Sequence, residues 1–450
     1  MLFLFALFEC VHSAFAFDVS YWVWQREDGL SEEEVTELTA QGVHTIYWHV
    51  GELENKGDAW RWTAHFSFPG NMAALHFVPV VRLVSREQQP FSVASMAALV
   101  RALTPTAKRT NEIQLDYDAP DRLLEDYGRA LAQIHAAVPH VSITALPHWS
   151  RADCLRFLVN GVDELFPMLY DFEAEPILQN ASPQPLIAPD KMARMLRAWS
   201  ACAKPWHAGL PTFARLTIYD SSGKSRGQIR NWNWDEVCLN RALTNVLKPR
   251  LGVTLCRAQT SLALSNTRLQ AGDQLAVRWT DRSALRDAIN LARQTTAKGV
   301  TLFRLPDSSA SSAWSLRQLA RLEEKPQLSF HPSSAGDSFI LENSSASDLE
   351  PSLQTRKGGE RGYAVEISAN APIFREAEPG DFASVTADKE GVKGVTRVAL
   401  PFATRLAFTF SQLRAGQSLK TGLIQLAPGA SFRQARYRIQ NSKEEWKPIE

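Results

Sequence analysis

The sequence predicts an α/β chain, a (β/α)8 TIM barrel followed by a C-terminal β-sandwich-like domain, on three observations. From Phe17 onward, strand-like and helix-like stretches alternate with short connections, the pattern of parallel α/β architecture. Eight strand-like stretches fall between Phe17 and Leu305, which suits one barrel carrying a long loop. Beyond residue 325 the helical periodicity fades, Ser, Gly and Pro rise, and short alternating runs take over. A doubly wound open sheet is the alternative for the first part, but no glycine-rich phosphate loop follows any strand.

Residues 1–16 hold an apolar run, LFLFALF, and a small-residue ending, Ala14-Phe15-Ala16, and read as a signal peptide cleaved before Phe17. No Lys or Arg precedes the run, so an uncleaved anchor is the second reading. The expected location is secreted or periplasmic, with no stable membrane insertion after cleavage. Residues 17–325 are the barrel. Phe17–Gln25 is its first strand, and Ser31–Gln41 is a helix opened by a Ser cap with acids in its first turn. Val43–Val50 is the second strand. A Trp-rich connection, Asp58–Trp62, leads to the third strand, His76–Val84, and to a helix over Ser92–Leu103. The fourth strand lies in Asn111–Pro120, and its amphipathic helix, Arg122–Val138, is stopped by Pro139. Val141–Trp149 and Glu164–Tyr170 are strands five and six, separated by a helix over Ala152–Asn160. A helix over Ala188–Ala203 precedes the seventh strand, His207–Phe213. Residues 214–280 read as an insertion on the following loop, before a helix over Arg282–Ala297 and the eighth strand, Gly299–Leu305. Residues 326–450 form the β-rich accessory domain, which serves either as a carbohydrate-binding module or as a packing partner.

The net charge of +1 and the lack of a basic run argue against nucleic acid as a partner. Tryptophan is abundant at thirteen; most of them are expected in the core, and any that are not needed there suit a sugar-binding surface, since an indole face packs on the C–H face of a pyranose. Cys154, Cys202, Cys238 and Cys256 are widely spaced with no CxxC pair, which excludes a zinc ribbon and leaves zero, one or two disulfides open. His44, His49, His65 and His76 fit no ligand spacing, so no metal and no cofactor is expected. The chain is expected to be a monomer.

Chemistry in a barrel gathers where strands end. Alternation puts Gln114, Asp116 and Asp118 on one face of the fourth strand, and two carboxylates on one buried face call for a site. Strand two ends near His49 and Glu52, strand three carries Arg82, strand five brings His148 and Trp149, strand six Tyr170, Asp171 and Glu173, and strand eight Arg304. Two carboxyl groups flanking a bond, with aromatic walls, is the apparatus of glycoside hydrolysis. The expected catalytic set is Asp116, Asp118, Tyr170, Asp171 and Glu52. Trp22, Trp48, Arg82, Trp149, Glu173 and Arg304 are the expected substrate-binding residues, and the expected partner is a carbohydrate polymer or glycoconjugate.

Asp116-Tyr-Asp118 and Met168-Leu-Tyr170-Asp171 resemble the D-x-D-x-E and M-x-Y-D motifs of glycoside hydrolase family 18 chitinases, which are (β/α)8 barrels. Phe17 to about Pro306 is similar to a bacterial domain-of-unknown-function family of glycosidase-like barrels. The resemblance implies that Asp118 steadies a substrate acetamido group and that Tyr170 and Asp171 line a sugar subsite. The sequence departs from the pattern where the chitinase acid would stand, because that position is Pro120 and proline cannot donate a proton. Three outcomes stay open: another carboxylate such as Glu52 or Glu173 is the acid, Asp118 itself is, or the barrel is a non-catalytic glycan-binding or envelope scaffold protein.

Overall fold

The computed structural model describes residues 17–69, 74–85, 90–171, 174–306, 312–355, 361–391, 394–440 and 445–449. The segment read as a signal peptide and Glu173 lie outside them. Eight parallel strands form the first unit: β1 Asp18–Val23, β2 Thr45–Lys56, β3 His76–Val84, β4 Glu112–Asp116, β5 His140–Ala145, β6 Glu164–Pro167, β7 His207–Pro211 and β8 Gly299–Phe303. Strands β1 to β6 pair in chain order, β7 pairs with β8, and β8 pairs back with β1. The seam between β6 and β7 is narrow, held by bridges at Leu165–Trp206 and Met168–Gly209. The ring is therefore closed, and the expected barrel is what the chain forms.

Helices α1 Glu32–Ala40, α2 Val93–Ala107, α3 Leu124–His135, α4 Ala152–Leu158, α5 Pro189–Trp199, α6 Arg282–Arg293 and α7 Leu316–Ala320 surround it. The first begins as its sequence dictates: the Ser31 hydroxyl accepts from the Glu34 N–H, and the Glu34 carboxylate accepts from the Ser31 N–H. Among the described residues no helix lies between β2 and β3. Instead β2 runs on for twelve residues and turns at Gly57 into a strand, Ala59–His65, that pairs back on it. Trp60 does the covering that a helix would do, buried against Phe91 with its indole N–H on the Ser95 hydroxyl of α2.

Alternation divides the strand residues between two layers. Tyr21, Val23, Ile46, Trp48, Val81, Leu115 and Ile143 face the helices and belong to the main core. Trp22, Tyr47, Val78, Val80 and Phe166 fill the barrel interior. The interior also holds paired polar groups: the Trp22 indole N–H donates to Gln114 Oε1 at 2.6 Å, and the Ser20 and Thr301 hydroxyls meet at 2.8 Å.

After β7 the chain makes a five-stranded antiparallel sheet from strands 214–219, 225–229, 243–250, 253–258 and 274–279, then enters α6. Beyond α7 lie a six-stranded sheet, a three-stranded sheet and a two-stranded one, all antiparallel, around a separate core that includes Phe339, Val365, Ile367, Phe408 and Ile439. This is the expected β-sandwich-like unit. Cys154, Cys202, Cys238 and Cys256 are buried free thiols. No helix among the described residues is long and apolar enough to cross a membrane.

The lower rim of the barrel carries a charge cluster with a pH signature. Glu164 lies 3.9 Å from His140 and 3.8 Å from His207, and Asp163 lies 3.5 Å from His140 and 3.2 Å from His135, with Asp18 and Glu112 nearby. Burial raises the Glu164 carboxyl, but His140 and His207 outweigh it and bring it to about 2. The His140 imidazole is raised, first by its contact with Glu164. A raised His contributes stability below its unfolded pKa of about 6.5 and loses it as pH rises through the folded value; a depressed Glu contributes above about 4.3 and loses it towards pH 2. Both act between about pH 4.5 and 6.5. The melting temperature of the wild type should fall from pH 6 to pH 8 relative to His140→Gln. Parallel melting curves for the two proteins across that range would show that the cluster adds nothing.

Candidate active site at the upper rim of the barrel

The site begins with a break in the alternation of β2. Tyr47 and His49 point into the barrel, and strict alternation would continue with Gly51 and Leu53, sending Glu52 outward. The register instead steps from His49–Val80 to Gly51–Val81, so that Val50 and Gly51 together oppose one residue of β3. Glu52 is thereby turned inward, opposite Arg82, and Leu53 is returned to the outer core, fully buried. Gly51 has φ 154°, and a Cβ there would stand 2.3 Å from the Ala64 carbonyl oxygen. Only glycine fits the bulge without displacing backbone.

Glu52, Arg82 and Asp116 consequently sit side by side on β2, β3 and β4. The Arg82 guanidinium lies between the acids, Nη1 at 3.5 Å from Glu52 Oε1 and Nε at 3.8 Å from Asp116 Oδ2. On the other side of Asp116, the Thr144 hydroxyl of β5 donates to Oδ1 at 2.7 Å. Asp116 is only 8% exposed, and burial, then the charge of Asp118, push its carboxyl up to about 6, against the pull of Thr144 and Arg82. The Asp118 carboxyl is also raised, by the protein atoms crowding it, although the residue opens to solvent. Burial is the largest cause for both carboxyls, and Asp116 is the less exposed of the two.

Tyr170 is in the same place, since the charges of Asp116 and Asp118 add to burial in raising its phenol. Its ring stacks on Phe303 at 5.6 Å and meets Phe213 edge-on at 5.9 Å. Phe303 in turn meets Trp24, which lies flat on His49 at 3.9 Å and 7°. His49 is wholly buried; burial, then Arg82, bring its imidazole down to about 4, against the opposing pull of the Gly51 backbone. The acids thus open onto a wall of Trp24, Phe303, Tyr170 and Phe213.

The structure brings Asp116, Asp118, Tyr170, Glu52 and Arg82 together. Asp171 is next in the chain to Tyr170, but its carboxylate turns to Arg215 and Arg278 of the inserted sheet, where Glu175 completes a four-charge cluster. That cluster, with Asp171 at φ 48°, fastens the loop after β6 to the insertion. Arg304 follows β8 half-buried, its carbonyl accepting from the Thr212 hydroxyl. All three tryptophans expected to bind substrate, Trp22, Trp48 and Trp149, fall short of the rim. Trp48 and Trp149 are 1% and 0% exposed in the layer between strands and helices, and Trp22 is 1% exposed inside the barrel beneath the acids. Trp24, Phe213, Phe303 and Thr144 were not anticipated. Trp24 carried the signal, two residues beyond Trp22 on the same strand face. Among the described residues no group of three or more His, Cys, Asp or Glu could hold a metal ion.

No family model matches the chain, and no curated protein matches it. Among solved structures, it is similar to the spore cortex-lytic enzyme SleL of Bacillus megaterium QM B1551, with 14% identity and a TM-score of 0.44 over 69% of this chain and 74% of that one. It is also similar to a chitinase from Chromobacterium violaceum ATCC 12472, with 14% identity and a TM-score of 0.42 over 66% and 96%. Chitinase ChiA74 from Bacillus thuringiensis aligns over 94% of this chain and 100% of its own, with 9% identity and a TM-score of 0.44.

Proposed function

We propose that the upper rim of the barrel hydrolyses glycosidic bonds in a polysaccharide or glycoconjugate outside the cytoplasm. The observation that carries the reading is the pair of acids on either side of Arg82, one of which, Asp116, is held near pH 6 by burial and by Asp118. Two carboxyl groups in different electrostatic settings are what separate an acid from a base. Below about pH 6 the Asp116–Asp118 pair retains one proton, and Asp118, the exposed member, delivers it to the glycosidic oxygen as the bond from that oxygen to the anomeric carbon breaks. Glu52, ion-paired to Arg82 on the neighbouring strand, takes the proton of the attacking water, whose oxygen completes the anomeric carbon. Arg82 prevents the acids from merging into one proton-sharing cluster. The aromatic wall from Trp24 to Tyr170 seats the sugar face.

A second reading, glycan binding without cleavage, is favoured by Pro120 at the position where the chitinase-like motif has its acid. A screen of polysaccharides for both binding and reducing-end release, run from pH 4.5 to 8, distinguishes the two. Hydrolysis should appear and decline as pH rises through about 6, because the proton on the pair is then lost. Binding with no release at any pH supports the second reading, and the absence of both removes the glycan from consideration.

A further inference from the structure

The outer face of the C-terminal six-stranded sheet carries a row of arginines that the barrel chemistry does not use. Alternation sends Val365, Ile367, Leu406, Phe408 and Ile439 into the core of that unit, and so turns Glu366, Asp388, Arg405, Arg436 and Arg438 to the other side. The pairing sets them in line: Arg397 opposite Asp388, Asp388 opposite Arg405, Arg405 opposite Ser368, and Ser368 opposite Arg436. The two acids lie underneath. Glu366 is 1% exposed and held by Arg405 at 3.3 Å, Arg438 at 2.7 Å and Gln440 at 2.5 Å; Asp388 is 6% exposed, between Arg405 at 3.7 Å and Arg397 at 3.6 Å. The guanidiniums that reach solvent are those of Arg397, Arg436 and Arg438, while the Arg405 side chain, 11% exposed, stays between the two acids.

Arg436 stands out within the row. It is exposed, forms no ion pair among the described residues, and lies 4.8 Å from the centre of the Trp446 ring, with Arg438 at 4.5 Å from the same ring. The indole holds both side chains in place by cation–π contact, so little rotamer freedom is left to lose on binding. From Arg397 to Arg436 is four strand spacings, roughly 19 Å. That is a length of several sugar units in an extended chain, too long for one small anion.

We propose that this face binds an acidic polysaccharide, its carboxylates spaced along the row from Arg397 to the Arg436–Arg438 pair. Three exposed guanidiniums, with Arg405 set between the two buried carboxylates, leave a modest positive surplus, and guanidinium matches carboxylate geometry. With the chain as a whole at +1, the field is too weak for a duplex phosphate backbone. This site is separate from the barrel rim and does not depend on whether the rim cleaves anything.

The test is affinity electrophoresis of the whole protein through native gels containing polygalacturonate or, as the neutral control, galactan. Polygalacturonate should retard the wild type at low salt, galactan should not, and half-molar NaCl should abolish the effect. Arg436→Glu, at an exposed position with no ion pair among the described residues, gives up one exposed cation–π contact, so it should stay folded with a slightly lower melting temperature and raise the dissociation constant for polygalacturonate at least tenfold. Glycan turnover at the rim, measured on the same Arg436→Glu protein, should equal that of the wild type, which separates failure here from failure of the barrel reading. Equal retardation of wild type and Arg436→Glu, no retardation by polygalacturonate, equal retardation by galactan, or tighter binding to phosphatidylglycerol vesicles than to polygalacturonate would each overturn the proposal.

Discussion

Asp118→Asn should lower glycan turnover by roughly 10² or more while leaving the barrel folded. The substitution keeps the shape and hydrogen-bonding capacity of the side chain and removes both its charge and its proton. It also acts on its neighbour, because the Asp118 charge is one of the causes that raise Asp116, second only to burial. With that charge gone the Asp116 carboxyl settles lower, so whatever activity survives should lose its proton at a lower pH than the wild type does. Stability runs the other way. A carboxylate whose folded pKa is raised opposes folding above that value, so easing the repulsion should leave the melting temperature at pH 8 equal to or above that of the wild type. Were Asp118 a structural tie instead, the same variant would melt earlier and keep its activity. A variant unchanged in both respects would defeat both accounts and direct the search for the acid to Glu52 and Glu173.

The barrel was legible because its signal is redundant. Eight stretches of alternating or wholly apolar residues, each ended by a polar or turn residue, fix strand number and order even where single boundaries shift. Asp116 and Asp118 were legible for the same reason, since position on a strand fixes a side chain's face. The same rule puts Trp48 out of reach of the rim. Trp48 lies between Tyr47 and His49, so once those two point inward the indole has to point out, into the apolar layer. Trp149 closes a short 3-10 turn, Pro147–Ser150, and strand alternation does not govern it. Asp171 illustrates a different limit. Its partners Arg215 and Arg278 lie 44 and 107 residues further on, and only the folded insertion brings them to it. The arginine row of the C-terminal sheet is likewise invisible in sequence, because four arginines on three strands become a row only through register.

Gly51→Ala should cost about 3 kcal/mol of stability, from a backbone conformation that disfavours a side chain and from a Cβ driven into the Ala64 carbonyl. The loss would be felt at the site as well as in the fold. Glu52 faces Arg82 only because Val50 and Gly51 together take the place of one residue; if β2 relaxes to plain alternation, Glu52 rotates towards the helices and Leu53 towards the acids. The reading therefore requires two effects at once, a melting temperature lower by several degrees and a fall in turnover comparable to that of Glu52→Gln. The second variant separates the two, since Glu52→Gln keeps the bulge and removes only the charge. It should lose turnover with little change in melting temperature, whereas Gly51→Ala should lose both. A Gly51→Ala protein that melts with the wild type would show that β2 accommodates a side chain there, and the inward position of Glu52 would then need another cause.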